Sequence, residues 1–378
     1  RGGTNNVAIV AGGSTRVYAD ANTHLATSTA GTSNLALGVN AGNSIASGGN
    51  YNVAVGDEAG TALTTGDQNV LLGYGAGDAI VSSSNNVAVG NLALSADTLG
   101  GRSVGIGSSA LTTQNFTTAT NAYNVAVGFT AGTSLTTGVQ NTLIGGLAGD
   151  AITDADFNVA VGYEALTNNV LGSRSTAIGR SSLNAQNPAT ATDMYNVAVG
   201  FNAGTAVTTG TENTLMGGQA GDALTDSTRN VAVGSLSLTT EARGQYSTAV
   251  GYGSLQSQYN ASAGNTLNTG IGYAAGLNLT SSTGTVAVGA QAIGTGVSTG
   301  DNNTAVGYRA MISNTSGGNN TGLGKDALYS NTVGLYNAAV GEGALYTNVN
   351  GSRSVAMGRL ALYTQNPATA VDMYNTGV

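Results

Sequence analysis

Hydrophobic positions in this chain recur at a fixed step. A short aliphatic triplet runs into a glycine, as in Asn124-Val125-Ala126-Val127-Gly128, and near-copies follow one another along most of the sequence. With that glycine as position zero, nineteen zeros fall between Gly38 and Gly358. Thirteen of the eighteen intervals are 17 residues, two are 18 and three are 21. A period this regular predicts one small structural unit stacked on copies of itself.

Each position in the repeat has its own preference. Position −1 is always Val, Ile, Leu or Met, and position −2 is Ala or Gly except at Leu71, Leu143 and Leu215. Position +3 is always Ala or Ser. Triplets such as Val-Ala-Val are short β segments by residue type. Seventeen residues have room for two such segments and two corners, one turn of a parallel β-solenoid. The zero glycines, among them Gly56, Gly73, Gly90, Gly128, Gly145 and Gly162, suit a corner with φ > 0 or a place too close to the next coil for a Cβ. Position −4 is Asn in fifteen of twenty copies. Asn52, Asn69, Asn86, Asn124, Asn141, Asn158, Asn196, Asn213 and Asn230 are expected to stack as a ladder, each amide bonding the coils above and below. The large −1 residue is assigned to the core and the small −2 residue to a close contact. A strand with one wet face would alternate apolar and polar residues. Here −3, −2 and −1 are all apolar or Thr, so a second covering surface is expected outside the coil. Lateral association of copies supplies it, with a homotrimer favoured although composition alone does not separate two from three.

A second period lies over the first. The longer intervals end at Gly128, Gly200 and Gly272, 72 residues apart, and a further one is implied beyond Gly358. Each follows a copy with Ser at −4: Ser103, Ser175, Ser247 and Ser354. Insertions in a solenoid map to loops on one side. Asn115, Phe116, Asn187, Pro188, Tyr259, Asn366 and Pro367 are therefore candidate receptor contacts. Arg174 with Asp193, and Arg353 with Asp372, sit one coil apart as candidate ion pairs. Residues 1–33 fit the period poorly and read as an irregular N-terminal coil or junction, ahead of a repeat domain over 34–378 that breaks off within a repeat.

Composition narrows the function. Only 8% of residues are charged, the net charge is −8, and the 11 Lys and Arg are spread thinly. Nucleic acid and anionic membrane surfaces reward clustered basic residues, so neither is an expected partner. No apolar run approaches the ~20 residues of a membrane-spanning helix. There is no Cys, so no disulfide reinforces the fold. The chain opens at Arg1 without a signal-peptide pattern, which reads as a processed or partial chain. The single histidine, His24, has no clustered acids or Cys near it and reads as a surface residue. Asp78, Asp150 and Asp222 step by 72, as a repeating surface does and a one-off catalytic pair does not. The expectation is no enzyme, no metal and no cofactor. Thr64-Thr65, Thr136-Thr137 and Thr208-Thr209 recur only every 72 residues, too sparsely for a flat ice-binding ladder. Aromatic residues following zero, from Tyr74 and Phe129 to Tyr308, form a rim that either packs or stacks on sugar rings.

Asn158-Val159-Ala160-Val161-Gly162-Tyr163-Glu164-Ala165-Leu166 and Asn303-Thr304-Ala305-Val306-Gly307-Tyr308-Arg309-Ala310-Met311 resemble the head repeats of YadA-type trimeric autotransporter adhesins. They are more similar still to the 17-residue repeats of bacteriophage tail fibres. The resemblance covers about residues 34–378. It implies an all-β, left-handed parallel β-roll of about 20 coils, three chains side by side, acting as a non-enzymatic host-attachment fibre on a virion or cell surface. The implied partners are two further copies and a host-surface glycan or protein. A bacterial adhesin head, a self-assembling extracellular filament and, further off, a glycan-degrading tailspike remain alternatives.

Overall fold

The computed structural model describes residues 7–11, 14–19, 25–27, 29–259, 264–294 and 296–378. His24 and Asn260 lie outside the described residues. The chain divides into two compact units, residues 1–175 with 187–192, and residues 176–186 with 193–378. Both are parallel β-solenoids, and no described residue is helical. The first unit stacks eight three-residue strands from Leu35–Leu37 to Val159–Val161. The second stacks twelve, eleven of three residues beginning at Thr176–Ile178 and a last of two, Thr376–Gly377. Pairing is in register, −3 on −3 and −1 on −1, as where Val125, Ala126 and Val127 lie beside Thr142, Leu143 and Ile144. Ahead of the coils, Val7–Ala11 pairs antiparallel with Ser14–Ala19, which pairs antiparallel with Leu25–Thr27.

The coil that opens at Asn124 shows how the sequence folds locally. After the strand, residues 128–135 make three overlapping turns, in which the amides of Ala131, Thr133 and Leu135 donate to the carbonyls of Gly128, Thr130 and Gly132. The third residues of the first two turns, Thr130 at φ 52° and Gly132 at φ 58°, are left-handed, as a type II turn requires at that place. Every full coil repeats this at +2 and +4, and again at −5, whether or not the residue is glycine. Each non-glycine so placed costs about 1–2 kcal/mol. The offset is complete backbone pairing: the Thr130 amide donates to Ser108 in the coil before, and the Gly132 amide to Ala148 in the coil after. The sequence expectation of two β segments per coil is corrected here. Each coil has one three-residue strand, and the successive turns carry the chain back. A second, two-residue strand forms only beside the longer coils, as where Thr120–Asn121 pairs with Gly100–Gly101.

The assignment of −1 and −2 is also corrected. Position −2 points inward and is fully buried at Ala54, Leu71, Ala88, Ala126 and Leu143, whereas −3 and −1 point out. Each core is built from −2, +3, +4 and +7. Where +4 is glycine, +7 is aliphatic, as in Gly60 with Leu63, Gly132 with Leu135 and Gly149 with Ile152. Where +4 is Leu, +7 is polar, as in Leu94 with Asp97, Leu111 with Gln114 and Leu166 with Asn169. Leu143 fills the space left by two glycines, because a Cβ on Gly132 or Gly149 would lie 2.7 or 2.8 Å from its methyl carbons. Leu71 and Leu215 sit in the same way between Gly60 and Gly77, and between Gly204 and Gly221.

The zero glycines meet both requirements at once. Gly145 has φ 134°, and a Cβ there would lie 2.5 Å from the carbonyl oxygen of Gly162.

Candidate functional site

The Asn residues of position −4 are buried and connect the coils. Asn69 donates its backbone amide (2.9 Å) and Nδ2 (3.1 Å) to Oδ1 of Asn52, and its Nδ2 also donates to the Ser83 carbonyl. Asn86 donates its amide to Asn69, Asn141 to Asn124, Asn158 to Asn141, Asn213 to Asn196 and Asn230 to Asn213. These side chains are consumed by the fold and have no route to a ligand.

The Ser substitutions in this ladder have a physical reason that is not local. In the coil opening at Ser103, position +7 is Gln114, fully buried. Its Oε1 accepts from Nδ2 of Asn124 at 2.9 Å, and its Nε2 donates to Ser103 Oγ at 3.1 Å and to Asp97 Oδ2 at 2.6 Å. The short Ser makes room for the Gln, which takes over the step of the ladder. Gln258 repeats this with Ser247, Asn268 and Glu241, and Gln365 with Ser354, Asn375 and Asn348. Gln114 therefore belongs to the core, and the four extra residues follow it.

Burial lifts the Asp97 carboxyl above its usual 3.8, against the lowering effect of the Gln114 amide and nearby backbone amides. The folded state then holds this proton more tightly than the unfolded chain does. The site is least costly below pH 3.8 and loses stability as pH rises through the folded value. Asn169, Asn331 and Asn348 occupy the same place in other coils, with Asn169 pairing to the Gly172 amide and carbonyl. Asp97→Asn is therefore expected to stabilise the protein at pH 7 by about 1 kcal/mol and to flatten the pH dependence of Tm above pH 4. A lower Tm at pH 7 would contradict this.

Two surfaces face outward. The first is the strand face. The side chains at −1 form an aliphatic lane in each unit, running through Leu37, Val55, Leu72, Val89 and Ile106 in the first and Ile178, Val199, Met216 and Val233 in the second. Ile144 is 39% exposed and Met216 43%. Position −3, beside it, is Val, Thr, Leu or Ala at every strand. A parallel sheet normally has both faces covered, and neither lane contains a charge.

The second surface, in each unit, is the side bearing the longer coils. Of the candidate receptor contacts, Asn115, Asn187, Tyr259 and Asn366 are exposed and Pro367 half-buried. Phe116 is 5% exposed and Pro188 is buried, so both are corrected from receptor contacts to packing residues. Phe116 packs over Gly100, where a Cβ would lie 2.7 Å from its ring. The exposed tips are 117–119, 189–191 and 368–370. Arg353 pairs with Asp372 at 3.0 Å and lies over the Tyr336 ring. The aromatic residues after zero are exposed, and Tyr252 stacks on Tyr273 with centroids 5.9 Å apart. Tyr329, Tyr346 and Tyr363 stack in turn at 4.7 and 4.9 Å, face occluding face.

Asp78, Asp150 and Asp222 are partly buried, and desolvation raises all three above the usual value. They stand in equivalent coils of separate 72-residue blocks, so no two share a site. Among the described residues no group of three or more His, Asp or Glu could hold a metal ion, and no helix is long and apolar enough to cross a membrane.

The architecture defines the class, a parallel β-solenoid repeat protein with 17-residue coils. Comparison with protein-family models, curated proteins and solved structures gives no match.

Proposed function

We propose that this chain is the repetitive part of an extracellular attachment fibre, of the kind carried by phage tails, in which three copies lie side by side. The observation that supports this reading is the unbroken aliphatic lane on the outward strand face of each unit. A surface of Val, Ile, Leu and Met in register, without one charged residue, is the mark of an interaction face. A second copy offers the same lane at the same spacing, and closed rotational symmetry leaves no lane open. Three copies are also what the repeat resemblance implies. The ladder amides are spent on the fold and the repeated carboxylates stand apart, which favours display over catalysis. A bacterial adhesin head would use the same coil in the same way.

Sedimentation equilibrium of the purified chain is expected to give three times the 37.0 kDa chain mass. Ile144→Lys in the lane is expected to shift it toward monomer. Fluorescently labelled protein is expected to bind intact bacteria of a restricted range saturably, without releasing reducing sugar. A monomeric wild-type chain would overturn the assembly. Absence of attachment across a broad panel of cells would overturn the function.

A further inference from the structure

The first long coil differs from its equivalents in one respect that bears on a ligand. In the last 72-residue block Arg353, at −5, is neutralised by Asp372, which stands seven residues before the next zero. In the first block the equivalent arginine is Arg102, and the equivalent of Asp372 is Asn121. Arg102 Nη1 donates to the Tyr123 hydroxyl at 2.9 Å, and its guanidinium lies 5.5 Å from that ring. Among the described residues no carboxylate pairs with it.

The same block has an open groove of about 320 Å³ beside that guanidinium, lined by Ser82, Asn85, Gly101, Arg102, Thr120 and Asn121 among others. This volume is at the lower end of the range for small-molecule sites, roughly 300–1,000 Å³. The groove is open because small residues stand where larger ones fill the other blocks. Ser84 replaces Leu335, and Gly101 replaces Gln245 or Ser352. The side chains of Ser82, Asn85 and Asn121 make no hydrogen bond among the described residues. Thus two amides and a hydroxyl, able both to donate and to accept, surround a cation that can only donate.

We infer that this groove binds an acidic saccharide, a hydroxyl-rich ring whose carboxylate takes the place of Asp372 against Arg102. Among inorganic anions, sulfate only accepts and hydrogenphosphate has a single hydroxyl to donate, so either would leave at least one of the Asn85 and Asn121 carbonyls unmatched. A neutral sugar would leave the guanidinium without its counter-charge. The inference rests on the attachment reading and names the chemistry of one receptor contact.

The test is saturation-transfer NMR of the full chain with glucuronic, galacturonic and N-acetylneuraminic acids, against glucose, galactose and inorganic phosphate. At least one of the acids is expected to bind about tenfold more tightly than its neutral counterpart. Asn121→Asp recreates the Arg353–Asp372 pair, so it is compatible with the fold and is expected to abolish the preference for acid. Gly101→Gln copies Gln245 and is expected to block every sugar. No saturable binding of any acid at millimolar concentration would overturn the inference, as would equal binding of neutral sugars or phosphate, or unchanged binding in both variants. Cell attachment that persists in Asn121→Asp while acid binding is lost would remove this groove as the receptor contact and leave the attachment reading standing. Cells left unbound by wild type would remove the latter.

Discussion

Replacing Gly145 with alanine is expected to destabilise its coil by about 4 kcal/mol or more, while the same change at the adjacent Gly146 stays within about 0.5 kcal/mol. Two independent costs meet at Gly145. Its φ of 134° is a region that L-residues rarely enter, at about 1–3 kcal/mol. Its Cβ would also lie 2.5 Å from the carbonyl oxygen of Gly162, a backbone atom that cannot turn away. The next coil would have to lift, which breaks the strand pairing between Thr142–Ile144 and Val159–Val161. Gly146 has no positive φ, and a Cβ there meets the Tyr163 ring at 3.6 Å and the Phe129 carbonyl oxygen at 4.0 Å, both ordinary contacts. Because each coil touches only its neighbours, the damage should be local. Hydrogen exchange is the measurement: protection is expected to fall in the coils around residue 145 and to hold in distant ones. Equal thermal shifts for the two variants would refute the close-approach account.

Leu143→Ala is expected to cost about 3–5 kcal/mol, at the upper end for a buried leucine. The size follows from its surroundings. Gly132 and Gly149 have no side chains with which to close the space, and both positions are pinned in turns whose amides pair with Ala148 and Ala165. The natural sequence contains a remedy. The next coil carries Ala160, Leu166 and Asn169 at the positions of Leu143, Gly149 and Ile152. Leu143→Ala combined with Gly149→Leu and Ile152→Asn should therefore regain more than half of the loss. Gly149→Leu alone should destabilise, since its side chain would overlap Leu143 and Ile152, each 2.8 Å from the added Cβ. Chemical denaturation of the four proteins measures the coupling. Additive effects would show that −2, +4 and +7 do not share one volume.

Both results follow from relations between coils, and that is where sequence reading had its limit. The period, the aliphatic triplet, the Asn at −4 and the zero glycine were legible because each coil repeats the same short-range demands. A one-residue shift in any copy would break the pairing on both sides, so the register is written into the chain many times over. Which face of the triplet turns inward was not legible. In Val125-Ala126-Val127 all three residues are apolar, so there is no polar contrast to mark the wet side. Size suggested Val127 for the core, whereas the turns after Gly128 leave room inward only for Ala126 or for a Leu flanked by glycines. The exchange between +4 and +7 was present in the sequence, in Gly149 with Ile152 and Leu166 with Asn169. Its meaning needed the overlapping turns that bring the two positions together. The insertions show the same division: their spacing is a sequence property, but the burial of Phe116 and Pro188 is not.

The repeat, the strand at its aliphatic triplet and the close approach of its corner glycines thus follow from the chain alone, because these are set by steric and hydrogen-bonding demands within one coil and its copies. Packing between coils settled which apolar face fills the core, why Ser103 gives way to Gln114, and that a groove opens beside Arg102. Those depend on side chains a full coil apart, which only stacking brings into contact.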